Sequence, residues 1–273
     1  MRLMALQMRN FRNFERVELA CGPRLNIFVG DNGQGKTNIL ESIYVLAQLR
    51  SFRGVGHAEL TRWGADVVSM KGLVEHPTHG EGLTLETAWD RQRRLLKVKG
   101  HEARRLVDYL GHLSALVFFP DSPQIVKGPP QERRRLVDRA LVSLQPMYLS
   151  LLLRYQMVLK QRNRLLKGPK PDRPSLDAWN AKFVELGATV VRARARYILR
   201  LNHRLARLGE LKLGDPAALC VLYQPALGQP GKAPSAASEG DEWANGADLA
   251  HRLSEGIAMV ERDELRVRGS LVG

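Results

Sequence analysis

The sequence predicts an α/β fold, a mixed domain built round a phosphate-binding loop and followed by a helical arm. Three observations carry that expectation. Gly30–Thr37 reads Gly-Asp-Asn-Gly-Gln-Gly-Lys-Thr between an apolar run and a helical pattern. Between Val67 and Val98, three apolar-rich segments separated by polar or glycine-bearing turns suggest an antiparallel meander. From Gln131 to Leu205, apolar residues recur at helical spacing over two long stretches with one proline-rich break.

In chain order, Leu3–Met8 reads as a first strand and Leu25–Val29 as a second, the latter apolar enough to be buried on both faces. After the loop, Ile39, Leu40, Ile43, Leu46 and Ala47 follow helical spacing, and Thr37–Leu49 holds neither glycine nor proline. Val67–Val74, Leu83–Trp89 and Leu95–Val98 supply the meander, and Leu113–Phe119 is another apolar run. A parallel core around the loop beside the meander is the expected arrangement.

The loop has the spacing G-x-x-x-x-G-K-[ST], and each residue type has a reason. Gly30, Gly33 and Gly35 let backbone N–H groups converge on phosphate without a Cβ clash, with Asp31, Asn32 and Gln34 completing the turn. Lys36 places a point charge on the β- and γ-phosphates, and the Thr37 hydroxyl is set to ligate Mg²⁺. The helix that begins there adds partial positive charge where phosphates sit. A nucleoside triphosphate with Mg²⁺ is the ligand this pattern calls for; the alternative is a glycine turn joining two elements.

The arm is expected after Gly128-Pro129-Pro130. Leu136, Ala140, Leu144, Leu151, Tyr155, Val158, Leu159 and Leu165 share a helical face, interrupted at Pro146. Residues 168–174 form a stop, and Ser175 is the candidate N-cap of a second helix through Trp179, Phe183, Leu186, Val190, Tyr197 and Leu205. Joined by a short turn, the two should pair as an antiparallel hairpin. A strand at Leu219–Tyr223, a Gly/Ala/Ser/Pro-rich loop at residues 228–246 and a helix over Ala247–Leu265 follow. The expected division is residues 1–128 as the first domain, 129–215 as the arm and 216–273 as a return segment.

Charge narrows the partner. Lys and Arg number 42 against 28 Asp and Glu, a net charge of +14 over 273 residues. Such an excess implies a polyanionic partner. Much of it falls on the arm, where Arg133, Arg134, Arg135, Arg154, Lys160 and Arg162 lie on the first helix and Arg192, Arg196 and Arg200 on the second. A surface for DNA phosphates is the functional reading and a solvated helix face the plain one; the former would be backbone-directed and salt-sensitive. No base-reading motif or aromatic stacking platform stands out.

Other classes find little support. Cys21 and Cys220 are distant and have no metal-like spacing, consistent with a reducing compartment. Arg2, Arg9, Arg12 and Arg16 interrupt the N-terminus, which does not read as a secretory signal, and no segment reads as a membrane span. A cytoplasmic protein is expected. His76 and His79 lack a third ligand for a metal site.

Beyond the loop, Leu6–Phe14, Ser51-Phe-Arg-Gly54, Phe118–Gly128, the continuation Asn38-Ile-Leu-Glu41 and Arg133–Asp138 occur in order. Together with the loop they resemble the RecF family of bacterial recombination-repair proteins. The resemblance implies an SMC-related, ABC-type ATPase head with a helical arm. It further implies ATP-dependent homodimerisation on gapped, single-stranded or duplex DNA. RecA loading with RecO and RecR, in support of replication and the SOS response, would follow. In that family the Leu-Val-Gly found here at residues 271–273 is followed by the ABC signature and the Walker B carboxylates. The chain is accordingly expected to be truncated, with little or no hydrolysis.

By the same resemblance Asn38 joins the nucleotide site, Arg53 reaches the nucleotide, and Asp121 or Gln124 relays nucleotide state from a Q-loop position. Arg53 in a solvated turn and Asp121 in a turn after a core strand are the plain alternatives. A phosphotransferase that places Asp121 on the metal, and a nucleotide-holding DNA-binding chain without turnover, are the competing functions.

Overall fold

The computed structural model of the chain describes residues 1–76, 79–120, 122–168, 172–215, 217, 219–226 and 248–272. It separates into two compact units, Met1–Pro146 and Met147–Gly273.

In the first unit, β1 (Arg2–Phe11), β2 (Phe14–Ala20), β3 (Val68–His76), β4 (His79–Trp89), β5 (Arg94–Val98) and β6 (His101–Glu102) form one sheet in the order β2-β1-β3-β4-β5-β6. Every pairing is antiparallel. The expected meander is β3, β4 and β5. Alternation fixes which face is covered: Leu6, Met8, Val68, Met70, Val74, Leu83, Leu85, Trp89 and Leu96 are all buried. Register confirms the common face, with Met8 opposite Met70 and Val74 opposite Leu83.

Helix α1 (Lys36–Gln48) packs on this sheet through Tyr44, Val45, Leu46 and Ala47. Leu46 reaches so close to Gly72 that a Cβ there would collide with its side chain. The Tyr109 hydroxyl donates to the Leu46 carbonyl at 3.0 Å. Burial pushes that phenol far above its usual range. Short helices α2 (His57–Leu60), α3 (Leu106–Tyr109) and α4 (Gln124–Lys127) and the longer α5 (Pro130–Leu144) complete the unit.

Three local readings of this unit are revised. Strand β2 was not foreseen; its exposed Glu15, Arg16 and Glu18 are the charges that protect a sheet edge, and they masked its pattern. Leu25–Val29 is no strand, and Leu25, Ile27 and Val29 are 76%, 72% and 90% exposed. Leu113–Phe119 likewise lacks a strand partner, with Leu116 and Phe118 exposed. Apolar composition marks surface that needs cover, and among the described residues neither segment finds a neighbouring strand.

The second unit comprises α6 (Met147–Leu166), α7 (Arg173–Leu213) and α8 (Leu249–Val267). The helical run breaks at Gln145 and Pro146, where proline denies the preceding turn a donor and crowds it. The cap of α7 is Asp172 rather than Ser175: its carboxylate accepts from the Ser175 N–H at 3.2 Å, and Pro174 fits the first turn, where no donor is required. In place of the expected strand at Leu219–Tyr223, the Asn202 side chain exchanges two hydrogen bonds of 2.9 Å with the Val221 backbone. One amide thereby satisfies what a ladder would have. The expected loop at residues 228–246 lies outside the described residues.

The core of this unit gathers Tyr155, Val158, Phe183, Val190, Val191, Leu253 and Ile257. At one end sits a buried charge pair. Arg162 is 1% exposed and Glu264 0%. Both guanidinium N–H groups of Arg162 engage the Glu264 carboxylate, and its Nε donates to Asn180 Oδ1 at 2.7 Å. Arg162 also bonds Ser270, and Glu264 accepts from the Leu271 N–H at 2.8 Å. Arg162 is thus structural and leaves the list of basic surface residues.

Truncating one member of a buried pair leaves the other charged and unsolvated, at a cost of about 3–5 kcal/mol. Glu264→Ala should therefore lower unfolding free energy by about that amount in urea titration. The double variant Arg162→Met/Glu264→Leu should recover most of it. Equal losses for the single and double variants would show that the pair's charge is not what matters.

Candidate nucleotide-binding site

The loop adopts the backbone its glycines permit. Gly33 has φ +83° and Gly35 φ +96°, in the left-handed region. Gly35 is also a close approach: a Cβ there would enter the Phe14 ring and lie 2.9 Å from both amide atoms of Asn13. The β1–β2 turn therefore presses on the point where α1 begins. No side chain caps α1 and its first turn contains no acid. Its leading N–H groups are thus left for an anion, aided by the helix dipole.

Lys36 folds back over the loop, and its ammonium donates to the carbonyls of Gly30 at 2.6 Å and Asp31 at 2.7 Å. That posture keeps the charge against the loop. Thr37, the second residue of α1, is exposed beside it. Asp31, Asn32 and Gln34 are exposed as well, so none of them is committed to the core. Donor-rich backbone, an uncapped helix start and a basic side chain form a donor set suited to triphosphate. The Thr37 hydroxyl suits a Mg²⁺ ion held with that triphosphate.

One turn further along, Glu41 is 0% exposed and organises the surroundings. Arg12 grips it in a two-pronged bond, Nε to Oε2 and Nη2 to Oε1, each at 2.9 Å. Arg53 stands 3.3 Å from Oε2, and the Ser51 hydroxyl donates to Oε1. Arg53 also donates to Asn38 Oδ1 at 3.1 Å, while Asn38 Nδ2 donates to Asn13 Oδ1 at 2.8 Å. A continuous chain of polar contacts thus joins the β1–β2 turn, the first turns of α1 and the 51–54 segment.

The structure brings Asn38 and Arg53 together beside the loop. Glu41, Arg12, Ser51 and Asn13 were not assigned a role there. The available signal was Glu41 itself, the only acid in α1 and set among apolar neighbours. Asp121 lies outside the described residues; Gln124 opens α4, and its side chain is not among those described.

The basic residues are dispersed. Arg133, Arg134 and Arg135 are exposed on α5; Arg133 donates to the carbonyls of Val126 at 3.2 Å and Gly128 at 2.9 Å, and Arg135 pairs with Glu132 at 2.6 Å. Arg154 and Lys160 are exposed on α6, Arg196 and Arg200 are exposed on α7, and Arg192 on α7 is half-buried.

Comparison with known proteins agrees with this geometry. The family profile described as an AAA ATPase domain matches residues 1–100. The protein named DNA replication and repair protein RecF from Geotalea daltonii is 37% identical over 227 residues, covering 82% of this chain and 61% of that protein. Its namesake from Staphylococcus aureus strain JH9 is 38% identical over 231 residues, covering 83% and 62%. Over this span the chain is a homologue of the RecF proteins. It spans about three fifths of the length of these curated relatives.

Two solved structures share the fold, both described as the recombination mediator protein RecF in the RecFOR pathway. The RecF-ATPrS form has a TM-score of 0.88 at 24% identity and covers 100% of this chain and 71% of the other. The RecF-ATP form has a TM-score of 0.85 at 24% identity, covering 99% and 70%. The fold is thus that of a RecF-type ATPase head with helices.

Removal of the Glu41 carboxylate should expose how much the site depends on it. Glu41→Ala leaves Arg12, whose side chain is 17% exposed, without its carboxylate and with only the Glu59 carbonyl as acceptor. A loss of about 3 kcal/mol in urea-determined stability is expected, with Glu41→Gln intermediate because its amide oxygen still accepts. An unchanged midpoint for Glu41→Ala would mean that the cluster contributes nothing.

Proposed function

We propose that this chain is a RecF-like, nucleotide-gated DNA-binding protein of replication and repair. Residues 30–37 hold ATP with Mg²⁺, Thr37 supplying the hydroxyl ligand to the ion. The observation that carries the reading is the phosphate loop pressed at Gly35 against Asn13 and Phe14, with Asn38 just beyond it tied to Asn13 and to Arg53, which faces Glu41. ATP supplies a dense negative charge at the loop, which Lys36, the α1 N-terminus and Arg53 are suited to receive. On binding, Lys36 exchanges its two loop carbonyls for phosphate oxygens, and Arg53 is drawn toward the nucleotide while remaining within reach of Glu41.

The output of this site is binding energy rather than bond cleavage. Glu41, the buried carboxylate beside the loop, accepts from Arg12 and Ser51 and faces Arg53, and is not placed to activate water. Little or no turnover is expected of this chain. Two protomers closing on two ATP molecules, gripping gapped, single-stranded or duplex DNA through basic surfaces that include Arg154, Lys160 and Arg196, complete the reading. Cooperation with RecO and RecR in loading RecA, and a place in the SOS response within the cytoplasm, follow from this homology. No helix among the described residues is long and apolar enough to cross a membrane.

Calorimetry tests the nucleotide site. The protein should release heat with Mg-ATP, and Lys36→Met should weaken binding by about tenfold or more, the worth of a charge-assisted hydrogen bond to phosphate. In light scattering, ATP should raise the mass toward that of a dimer for the protein but not for Lys36→Met. Retained ATP-dependent dimerisation in that variant would overturn the gating role.

DNA binding by the arm has its own signature. Reversing Arg154, Lys160 and Arg196 to Glu should weaken binding to all sequences alike and flatten the dependence of log K on log salt by up to about three units. An unaltered salt slope would place the DNA surface elsewhere.

A further inference from the structure

A second aromatic and basic site lies in the first unit, in a cleft of about 990 Å³ between the α2 region and the β4–β5 turn. Its most unusual member is Trp63, 97% exposed. A tryptophan so placed leaves a large apolar face in water, which the fold alone does not require. The fold holds it there deliberately. Ala65 N–H donates to the Arg62 carbonyl at 3.0 Å, closing a β-turn with Trp63 and Gly64 at its centre. Gly64 has φ +79°, the conformation that the third position of such a turn needs.

The turn is anchored at its start. Arg62 N–H donates to the Asn10 carbonyl at 2.9 Å, and Thr61 bridges to Phe11. Behind it, buried Trp89 donates from its indole nitrogen to the His57 carbonyl at 3.2 Å and packs on the His57 ring at 4.9 Å. The exposed indole therefore stands on a rigid base.

The charge around it is positive. Arg62, Arg91, Arg93 and Arg94 line the cleft, against Asp66 and Asp90. Asp90 is used locally: its carboxylate accepts from the N–H groups of Gln92 and Arg93, both at 2.7 Å. The Arg91–Asp66 pair spans 3.6 Å with both side chains more than four-fifths exposed, an ion pair that an incoming phosphate readily displaces. The cleft thus offers guanidinium groups for phosphates beside an aromatic plane for a base. That combination is how single strands are held, since unpaired bases present a π-face and duplex bases do not.

We infer that this cleft binds an unpaired nucleotide of single-stranded DNA, with a base stacked on Trp63 and its phosphates among Arg62, Arg91, Arg93 and Arg94. The inference rests on the DNA-binding reading above and adds a discrimination the arm cannot supply, because backbone contacts on helices do not distinguish a strand with free bases. At a gap, the site would mark the junction of duplex and single strand.

Fluorescence anisotropy with a labelled oligo(dT) and with a blunt duplex of equal length tests it, using Trp63→Ala, Trp63→Phe and Arg93→Glu. Trp63 makes no core contact, so the variants should fold as the parent does. Trp63→Ala should weaken oligo(dT) binding about tenfold, Trp63→Phe much less, and duplex binding should change less than twofold. Arg93→Glu should weaken binding to oligo(dT) and make it less salt-dependent. If the parent binds oligo(dT) and Trp63→Ala binds it equally well, the site is refuted while DNA binding stands. If the parent binds neither DNA, both readings fail. Loss of binding to phosphatidylserine-containing vesicles on Trp63→Ala, with DNA binding intact, would assign the cleft to a membrane surface instead.

Discussion

Burial of Glu41 is the constraint on which the nucleotide site depends. A carboxylate taken fully out of water is costly by several kcal/mol, and only partners of matching geometry offset that cost. Here the partners come from two other segments: Arg12 at the β1–β2 turn, and Ser51 and Arg53 after α1. None of the three segments can shift without costing the buried Glu41 carboxylate a partner. The loop is held at its α1 end by the same device, because Gly35 is pressed against Asn13 and Phe14 and Asn38 bonds Asn13. Arg53 touches both Glu41 and Asn38, so a phosphate that attracts it acts on the whole cluster.

The second unit repeats the principle at Arg162 and Glu264, where α6, α7, α8 and the segment at residues 270–271 meet. Buried ion pairs are weak sources of net stability, because apolar replacements of similar volume often do as well. Their value lies in direction. An apolar contact tolerates sliding, whereas a two-pronged guanidinium–carboxylate bond fixes distance and plane. Each pair sits where the chain must hold several segments at once, which is where directional contacts have most effect.

What the sequence made legible divides along physical lines. Local rules served well: the glycine spacing of residues 30–35, the helical period of α1 and the break at Pro146 each arise within a few residues and appear as expected. The antiparallel meander was legible because β3, β4 and β5 are joined in sequence. Non-local chemistry was not. Glu41 and Arg12 are 29 residues apart, and nothing in helical periodicity says that an acid on α1 will be buried against an arginine in a turn. Arg162 misled for the complementary reason: a basic residue on a basic helix reads as surface until Glu264, 102 residues on, reaches it. Trp63 escaped notice because exposure is not written in sequence.

Leu25–Val29 shows the same limit from the other side, and it bears on how tightly the loop holds phosphate. The α1 end of the loop is fixed by polar and steric contacts, but the segment entering it finds no strand partner among the described residues, and its alternate side chains face solvent. Fixing the backbone of one residue costs about 1–2 kcal/mol in conformational entropy, so ordering a five-residue flank weighs heavily against phosphate contacts worth about 1.5–3 kcal/mol each. A strand paired beside Leu25–Val29 would meet that cost beforehand and raise affinity without touching the nucleotide. By linkage, bound nucleotide would favour that pairing equally. The phosphate loop is thus rigid on the side that senses charge through Arg53 and Glu41, and open to coupling on the side that enters from Leu25.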